Sequence, residues 1–372
     1  MEKYGQYRDK GSGIAPFFPV SSEGNSLLFP WHLFLFCLRV PLVAFAWFVW
    51  LAIIQWTPPG NILRKANLWC ILGIPGVWWI DIQVDGVRRG SLSQFPRGRL
   101  PSPGTIIASS YTSPLDILYL SAIFDPIFTV SSPGSRLVRP VTIEGALAST
   151  FALNPPFPFN NQNPAQRLSD LIKQNPTRTL VVFPESTTSN ARGILKSSHS
   201  LLSASASTSI FPVSLRYTPT DIVTPIPGWL EVARFIWRLN SRPTHCIRVR
   251  IGAPVSLTSP PAPNFESSPA RSAITRPTSP PSSSTANTAR KRNSYDSNFF
   301  DTLQSSPSPA QKVSGDSTTD ADGEGLSEQE KRLLDAVADA LARLGRVKRV
   351  GLGAAEKEEF VRAWWARRGA RR

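Results

Sequence analysis

From Leu33 to Trp56 the chain is almost wholly apolar, interrupted chiefly by Arg39 and Pro41. A run of this kind has to be covered, either by the rest of the protein or by lipid. As a helix its 24 residues reach roughly 36 Å, enough for the hydrocarbon core of a bilayer. Trp47, Trp50 and Trp56 suit an interfacial belt, and Arg39 near one end is placed to snorkel toward headgroups. The run is too long, too rich in Trp and too far from Met1 for an ordinary cleaved signal peptide. The expectation is a membrane-spanning anchor; the alternative is a core helix of a globular domain. Pro58-Pro59-Gly60 ends the run. Leu68 to Ile80 is apolar again, but Gly73, Pro75 and Gly76 break it, so a re-entrant or interfacial piece is expected there. Trp78-Trp79 would then mark the membrane surface and lead into a strand near Ile80–Val84.

Charge narrows the choice of partner. The 372 residues carry a formal charge of +15, which favours an anionic partner, either nucleic acid or an acidic membrane face. The basic residues form no stripe interleaved with aromatics and no nucleic-acid-binding motif, whereas Trp and Phe crowd before residue 80. Membrane lipid is therefore the expected partner, and nucleic acid is not. The three cysteines, Cys37, Cys70 and Cys246, lie in apolar or strand-like sequence without ligand spacing. The three histidines, His32, His199 and His245, are scattered, so no metal site is expected.

Residues 81–256 read as a folded domain. Strand-like runs at Thr105–Ser109, Thr179–Phe183, Ser209–Tyr217 and Cys246–Ile251 are separated by helix-compatible stretches at Pro114–Ile123, Ala165–Gln174 and Trp229–Leu239. Strands alternating with helices imply an α/β domain with a largely parallel sheet, and in such folds ligands gather where strands end and helices begin. Around it, residues 1–26 read as a flexible arm, 27–80 as the membrane segment and 257–325 as a disordered Ser/Thr/Pro-rich linker. Residues 326–372 read as a basic helical tail. Ser327-Glu328-Gln329-Glu330 matches a capping box, and Leu333, Leu334, Val337, Leu341 and Leu344 follow at helical spacing. With twelve Lys/Arg against five Asp/Glu from Lys331 onward, and Trp364-Trp365 beside them, this tail reads either as a surface anchor for anionic lipid or as a helix packed on the domain.

Two strand ends carry unusual chemistry. Ile106-Ile107-Ala108 runs into Ser109-Ser110-Tyr111-Thr112-Ser113-Pro114-Leu115-Asp116 and an apolar helix start. Val181-Val182-Phe183 runs into Pro184-Glu185-Ser186-Thr187-Thr188-Ser189-Asn190-Ala191-Arg192-Gly193. A third run, Ile210-Phe211-Pro212-Val213-Ser214-Leu215-Arg216-Tyr217, follows in order. Together, over about residues 30–256, these blocks resemble the glycerolipid acyltransferases that transfer fatty acyl groups from coenzyme A. In that family a His-x4-Asp pair deprotonates the acceptor hydroxyl. Here Tyr111 stands in the His position and Asp116 in the Asp position.

The resemblance assigns the second block to the acceptor phosphate, with Glu185 and Thr187 retained. Ser186 replaces the usual Gly, and Thr188 replaces the Arg found in many members. Arg192 is a substitute cation or an ordinary solvated arginine. Pro212 and Arg216 lie on the strand that in the family lines the acyl and acceptor pocket. The resemblance implies that the family's remaining motif, which contains Gly and Arg, falls near Gly134–Glu144. The run Pro227–Pro243 looks like fungal lysophosphatidic acid acyltransferases in particular. The resemblance implies acyl-CoA as co-substrate with no bound cofactor, a lysophospholipid acceptor, most simply lysophosphatidic acid, and residence in the endoplasmic reticulum membrane, with the lipid droplet as a second site. A catalytically silent relative that binds lipid or acyl-CoA is the alternative, since an unperturbed Tyr has a pKa near 10 and is a poor base at neutral pH.

Overall fold

The computed structural model describes residues 2–20, 26–87, 98–153, 164–258 and 326–369. The linker expected at 257–325 falls almost entirely outside the described residues.

In chain order the elements are α1 (Phe29–Ala52), α2 (Ile62–Gly73), β1 (Val77–Val84), β2 (Ile106–Ser109), α3 (Pro114–Phe124), β3 (Ile127–Ser131), β4 (Val138–Val141), α4 (Ile143–Thr150) and α5 (Leu168–Gln174). Then come β5 (Leu180–Val182), β6 (Gly193–Ile194), β7 (Ile210–Thr218), α6 (Trp229–Ser241), β8 (His245–Ile251), α7 (Glu328–Gly345), β9 (Lys348–Arg349) and α8 (Ala354–Gly369). Seven strands form one mixed sheet in the order β1-β8-β7-β2-β5-β3-β4, parallel except at β7–β8 and β3–β4. The fold is α/β, as the alternation of elements predicts.

Helices cover both faces of the sheet. Ile107, Val181 and Val213 point to a core shared with α1, α2, α3, α4 and α6, while Ile106, Leu180 and Val182 point to a second core shared with α5 and α7. Burial on both faces is why β2 and β5 read as continuous apolar runs rather than alternating ones. Leu333, Val337 and Leu341 of α7 are buried in the second core. The tail is thus part of the three-layer fold and belongs to the same compact unit as residues 2–258. Of its two sequence readings, docking on the domain is the one the structure shows.

Residues 2–20, expected as a flexible arm, are packed as well. Phe17 and Tyr7 share a third core with Val350, Phe360 and Val361 of the tail. The arm's aromatics have an apolar partner, supplied from the far end of the chain.

The N-terminal apolar helix is long and apolar enough to cross a bilayer by length and composition. Its packing is informative. His32 Nδ1 lies 2.7 Å from Ser241 O, Arg39 donates to the carbonyls of Pro75 (3.1 Å), Pro243 (2.9 Å) and Arg242, and Trp50 Nε1 donates to Glu144 Oε1 at 2.5 Å. From His32 to Trp50 is roughly 27 Å of helix, and α1 lies along the domain over all of it. Most of α1 is nevertheless exposed, with Leu35, Ala46 and Trp50 its buried residues, so it stands as a candidate membrane helix that also packs on its own domain. Arg39, expected to snorkel, instead satisfies loop carbonyls. Gly76 admits the contact: at φ +93° a Cβ there would stand 2.4 Å from Pro243 O. The segment expected to be re-entrant forms α2 and the start of β1, with Leu68, Ile71 and Leu72 buried in the core.

Candidate active site

The first and second blocks meet because β2 and β5 are adjacent and in parallel register, Ala108 beside Val182. Their C-terminal ends therefore open at the same edge of the sheet. β7 flanks β2 on its other side, with Ala108 beside Pro212.

At the end of β2 the chain turns into α3, whose N-cap is Ser113. Asp116 completes a capping box: its Oδ2 accepts from Ser113 N at 2.9 Å, from Thr112 N at 2.7 Å and from Thr112 Oγ1 at 3.2 Å. Its Oδ1 accepts from the hydroxyl of Tyr217, reaching across from β7. Asp116 is fully buried. Burial pushes its carboxyl up to about 6, with the Tyr217 hydroxyl and the Thr112 and Ser113 donors pulling the other way.

Tyr111 and Asp116, which take the His and Asp positions of the family's pair, are not hydrogen-bonded to each other through the phenol. The phenol on Asp116 is that of Tyr217. The Tyr111 hydroxyl lies 2.7 Å from Ser149 Oγ of α4, and its ring stacks on Phe183 with centroids 4.2 Å apart. Burial drives the Tyr111 phenol far above its ordinary value, and the Asp116 charge adds to this. Tyr111 at this site is a neutral hydroxyl.

The second block forms a loop in which every residue from Phe183 to Asn190 is buried. Ser186, in the usual glycine position, has a left-handed φ of +49°, which explains why glycine suits that position. Glu185 Oε2 accepts from Leu195 N at 3.2 Å, and its Oε1 has no hydrogen-bond partner among the described residues. Burial raises the Glu185 carboxyl to about 8. Thr188 Oγ1 donates to Thr224 O at 2.8 Å. Asn190 donates to Pro16 O (2.9 Å), Ala15 O (2.8 Å) and Phe18 O (3.0 Å) of the arm.

Of the residues read from sequence, Tyr111, Asp116, Glu185, Ser186, Thr187, Thr188 and Pro212 come together at this edge. Arg192 is exposed. Arg216 donates to Gly345 O at 2.7 Å, holding the end of α7. The space beside Ser110, Thr112, Glu185 and Ser214 is a cavity of only about 10 Å³, room for a single water. A larger groove of about 460 Å³ lies nearby, lined in part by Trp50, Trp56, Phe128, Ile143, Arg64 and Arg178. Phe128 is parallel to Phe183, centroids 6.4 Å apart, so a chain of rings leads from this groove to Tyr111.

Three residues at the site were not singled out from sequence. Tyr217 closes the third block and its partner is set only by strand order. Ser149 sits in α4, whose start was marked in sequence by Thr142 as N-cap and Glu144 in the first turn. Lys357 Nζ, from α8, donates to Thr188 O and Oγ1. Its signal was present: Phe360 and Val361 stand three and four residues on, the spacing of one helical face.

A protein of Schizosaccharomyces pombe named "Putative lysophosphatidic acid:oleoyl-CoA acyltransferase" is 27% identical to this chain over 242 residues, spanning 63% of the chain and 80% of that protein. No family model and no solved structure matches. The order of the blocks, their meeting at one sheet edge and this relative together support the resemblance of the chain to the glycerolipid acyltransferases.

Proposed function

We propose that this protein is a membrane-bound lysophospholipid acyltransferase that uses acyl-CoA as co-substrate, without a bound cofactor, and lysophosphatidic acid as acceptor. One observation carries the reading: the two resemblance-bearing blocks, though some 70 residues apart, converge at the ends of adjacent strands. Acyl transfer needs the acceptor hydroxyl oriented and deprotonated, and the thioester oxygen stabilised as charge develops on it. Tyr111, held neutral, suits orientation of the acceptor. Proton removal then falls to water or to the acceptor's own phosphate, whose second pKa is near 6. Asp116 fixes the turn on which Tyr111 stands. The groove that reaches Phe128, with Phe183 behind it, suits an acyl chain.

Membrane association follows from the outward face of α1 and its neighbours. Phe34, Leu38, Phe45 and Phe48 of α1, Trp78 and Trp79 of β1 and Trp229 of α6 are all exposed. This surface fits the hydrocarbon of a bilayer, with α1 as the anchor. The endoplasmic reticulum membrane, with the lipid droplet as second site, is the location proposed.

A second reading, a silent lipid- or acyl-CoA-binding relative, is favoured by the 10 Å³ cavity and by the engagement of Asp116 with Tyr217 rather than with a base. Purified protein, labelled acyl-CoA and a panel of lysolipids separate the two. The enzyme reading expects transfer by the wild type, reduced transfer by Tyr111→Phe, and a KM for acceptor raised more than that for acyl-CoA in Thr187→Ala. A wild type inactive with every acyl-CoA, alongside a Tyr111→His variant that gains transfer, would establish the silent relative instead.

A further inference from the structure

Lys357 is a lysine in an acidic stretch, Glu356-Lys357-Glu358-Glu359, yet its side chain is 1% exposed. Phe360 and Val361, on the same face of α8, are equally buried and anchor the helix against the arm. An ammonium removed from water is costly unless its donors are met. Two of them are, at 2.7 Å to Thr188 O and 2.8 Å to Thr188 Oγ1. Burial lowers the ammonium to about 7, with the Glu185 charge opposing.

The bonds do not stop at Thr188. Its hydroxyl donates to Thr224 O, Thr224 N donates to Thr112 O at 2.9 Å, and Thr112 in turn donates to Asp116. On the other side Ser189 N donates to Tyr111 O at 3.0 Å. The ammonium thus sits at the head of a hydrogen-bonded path that joins the Glu185 loop to the Tyr111–Asp116 turn. Backbone pairing holds the tail in place alongside: β6 pairs with β9, Val350 N donates to Ile194 O at 2.9 Å and Lys196 N to Leu352 O at 3.0 Å.

We propose that Lys357 is a positioning residue of the candidate site, its ammonium fixing the Thr188 turn, so that the C-terminal tail completes the site. The inference deepens the acyltransferase reading and rests on it for the kinetic part of its test. Thr188 stands where many relatives carry a loop arginine. Here a cation reaches that position from 169 residues away in sequence.

The test uses the full chain in detergent micelles. Lys357→Met keeps length and removes both donors. Phe360→Leu loosens the same helix without touching the loop. Hydrogen exchange of the backbone amides in 186–189, the part of the loop bonded neither by the arm nor by β9, is expected to rise about tenfold or more in Lys357→Met, the consequence of losing two charge-assisted bonds, and to stay near wild type in Phe360→Leu. In acyl transfer, the KM for acceptor is expected to rise more than that for acyl-CoA in Lys357→Met alone, because the Thr188 turn it fixes belongs to the acceptor loop. Exchange unchanged in Lys357→Met, or raised equally in both variants, would overturn the proposal and leave Lys357 as a docking pin for α8. Should the Met variant not accumulate, Lys357→Gln is read by the same exchange criterion. A wild type without transfer activity would remove the acyltransferase reading while the exchange result still decides the role of Lys357.

Discussion

The loop from Glu185 to Asn190 and the outer face of α1 are opposites. In the loop, six polar residues in succession are buried; on α1, Phe45 and Phe48 are each 66% exposed. Both invert the usual partition of polar and apolar side chains, and each is tolerated for a different reason. Most of the loop's polar groups are met by protein partners drawn from four places: the turn after β2, the arm, the 224 region and α8. The helix face has no protein partner among the described residues, and a lipid leaflet is the partner we propose for it. Burying polar groups demands specific, distant partners, whereas covering apolar ones demands only area.

The sharpest way to break this contrast is Asp116→Ala. It leaves Thr112 N, Ser113 N and the Tyr217 hydroxyl without their acceptor in a buried site. A loss of about 3–5 kcal/mol is expected in denaturant unfolding. A loss under about 1 kcal/mol would mean the buried polar cluster is not held by its internal bonds.

On the apolar side, Phe45→Glu combined with Phe48→Glu is expected to lower partition onto lipid vesicles by at least about a hundredfold, at about 1.5–3 kcal/mol for each buried side chain. Thermal stability should be untouched, since neither residue is buried by protein. Co-sedimentation with vesicles equal to wild type would take the leaflet away from this face.

A subtler effect separates the charges within the loop. Glu185, with its carboxyl raised from 4.5 to about 8, binds more protons folded than unfolded over that interval, so stability falls as pH rises through it. Lys357, lowered from 10.5 to about 7, binds fewer protons folded than unfolded between those values, so stability climbs with pH there. Asp116, raised from 3.8 to about 6, adds to the falling limb. Melting temperature against pH should therefore pass through a minimum near pH 7–8, and Glu185→Gln should flatten its acidic side. A monotonic curve in the wild type would show that these groups do not titrate as buried.

The smallest effect is expected at Ser186. Glycine there relieves the left-handed backbone at the cost of greater freedom in the unfolded chain. Ser186→Gly should leave stability unchanged or raise it within about 1 kcal/mol. A clear loss would show that the serine side chain, rather than backbone shape, is what the loop needs.

Much of the fold was legible because local patterns repeat at short range. The strands ending at Ser109, Val182 and Ile251 and the helices beginning at Pro114 and Trp229 lie within a residue or two of their sequence positions. The capping boxes at Ser113 and Ser327 are formed as residues three apart allow. By itself the sequence also determined that the polar blocks stand at strand ends and that a long apolar helix precedes the sheet. Only the tertiary structure decided which phenol meets Asp116. That depends on β7 lying beside β2, which pairs segments about a hundred residues apart. Only it decided that Arg39 meets the carbonyls of residues 75, 242 and 243, and that Lys357 turns inward to Thr188. Periodicity tells a side chain which face it is on. What waits on that face is set by segments far away in the chain, through sheet order and packing that no local pattern records.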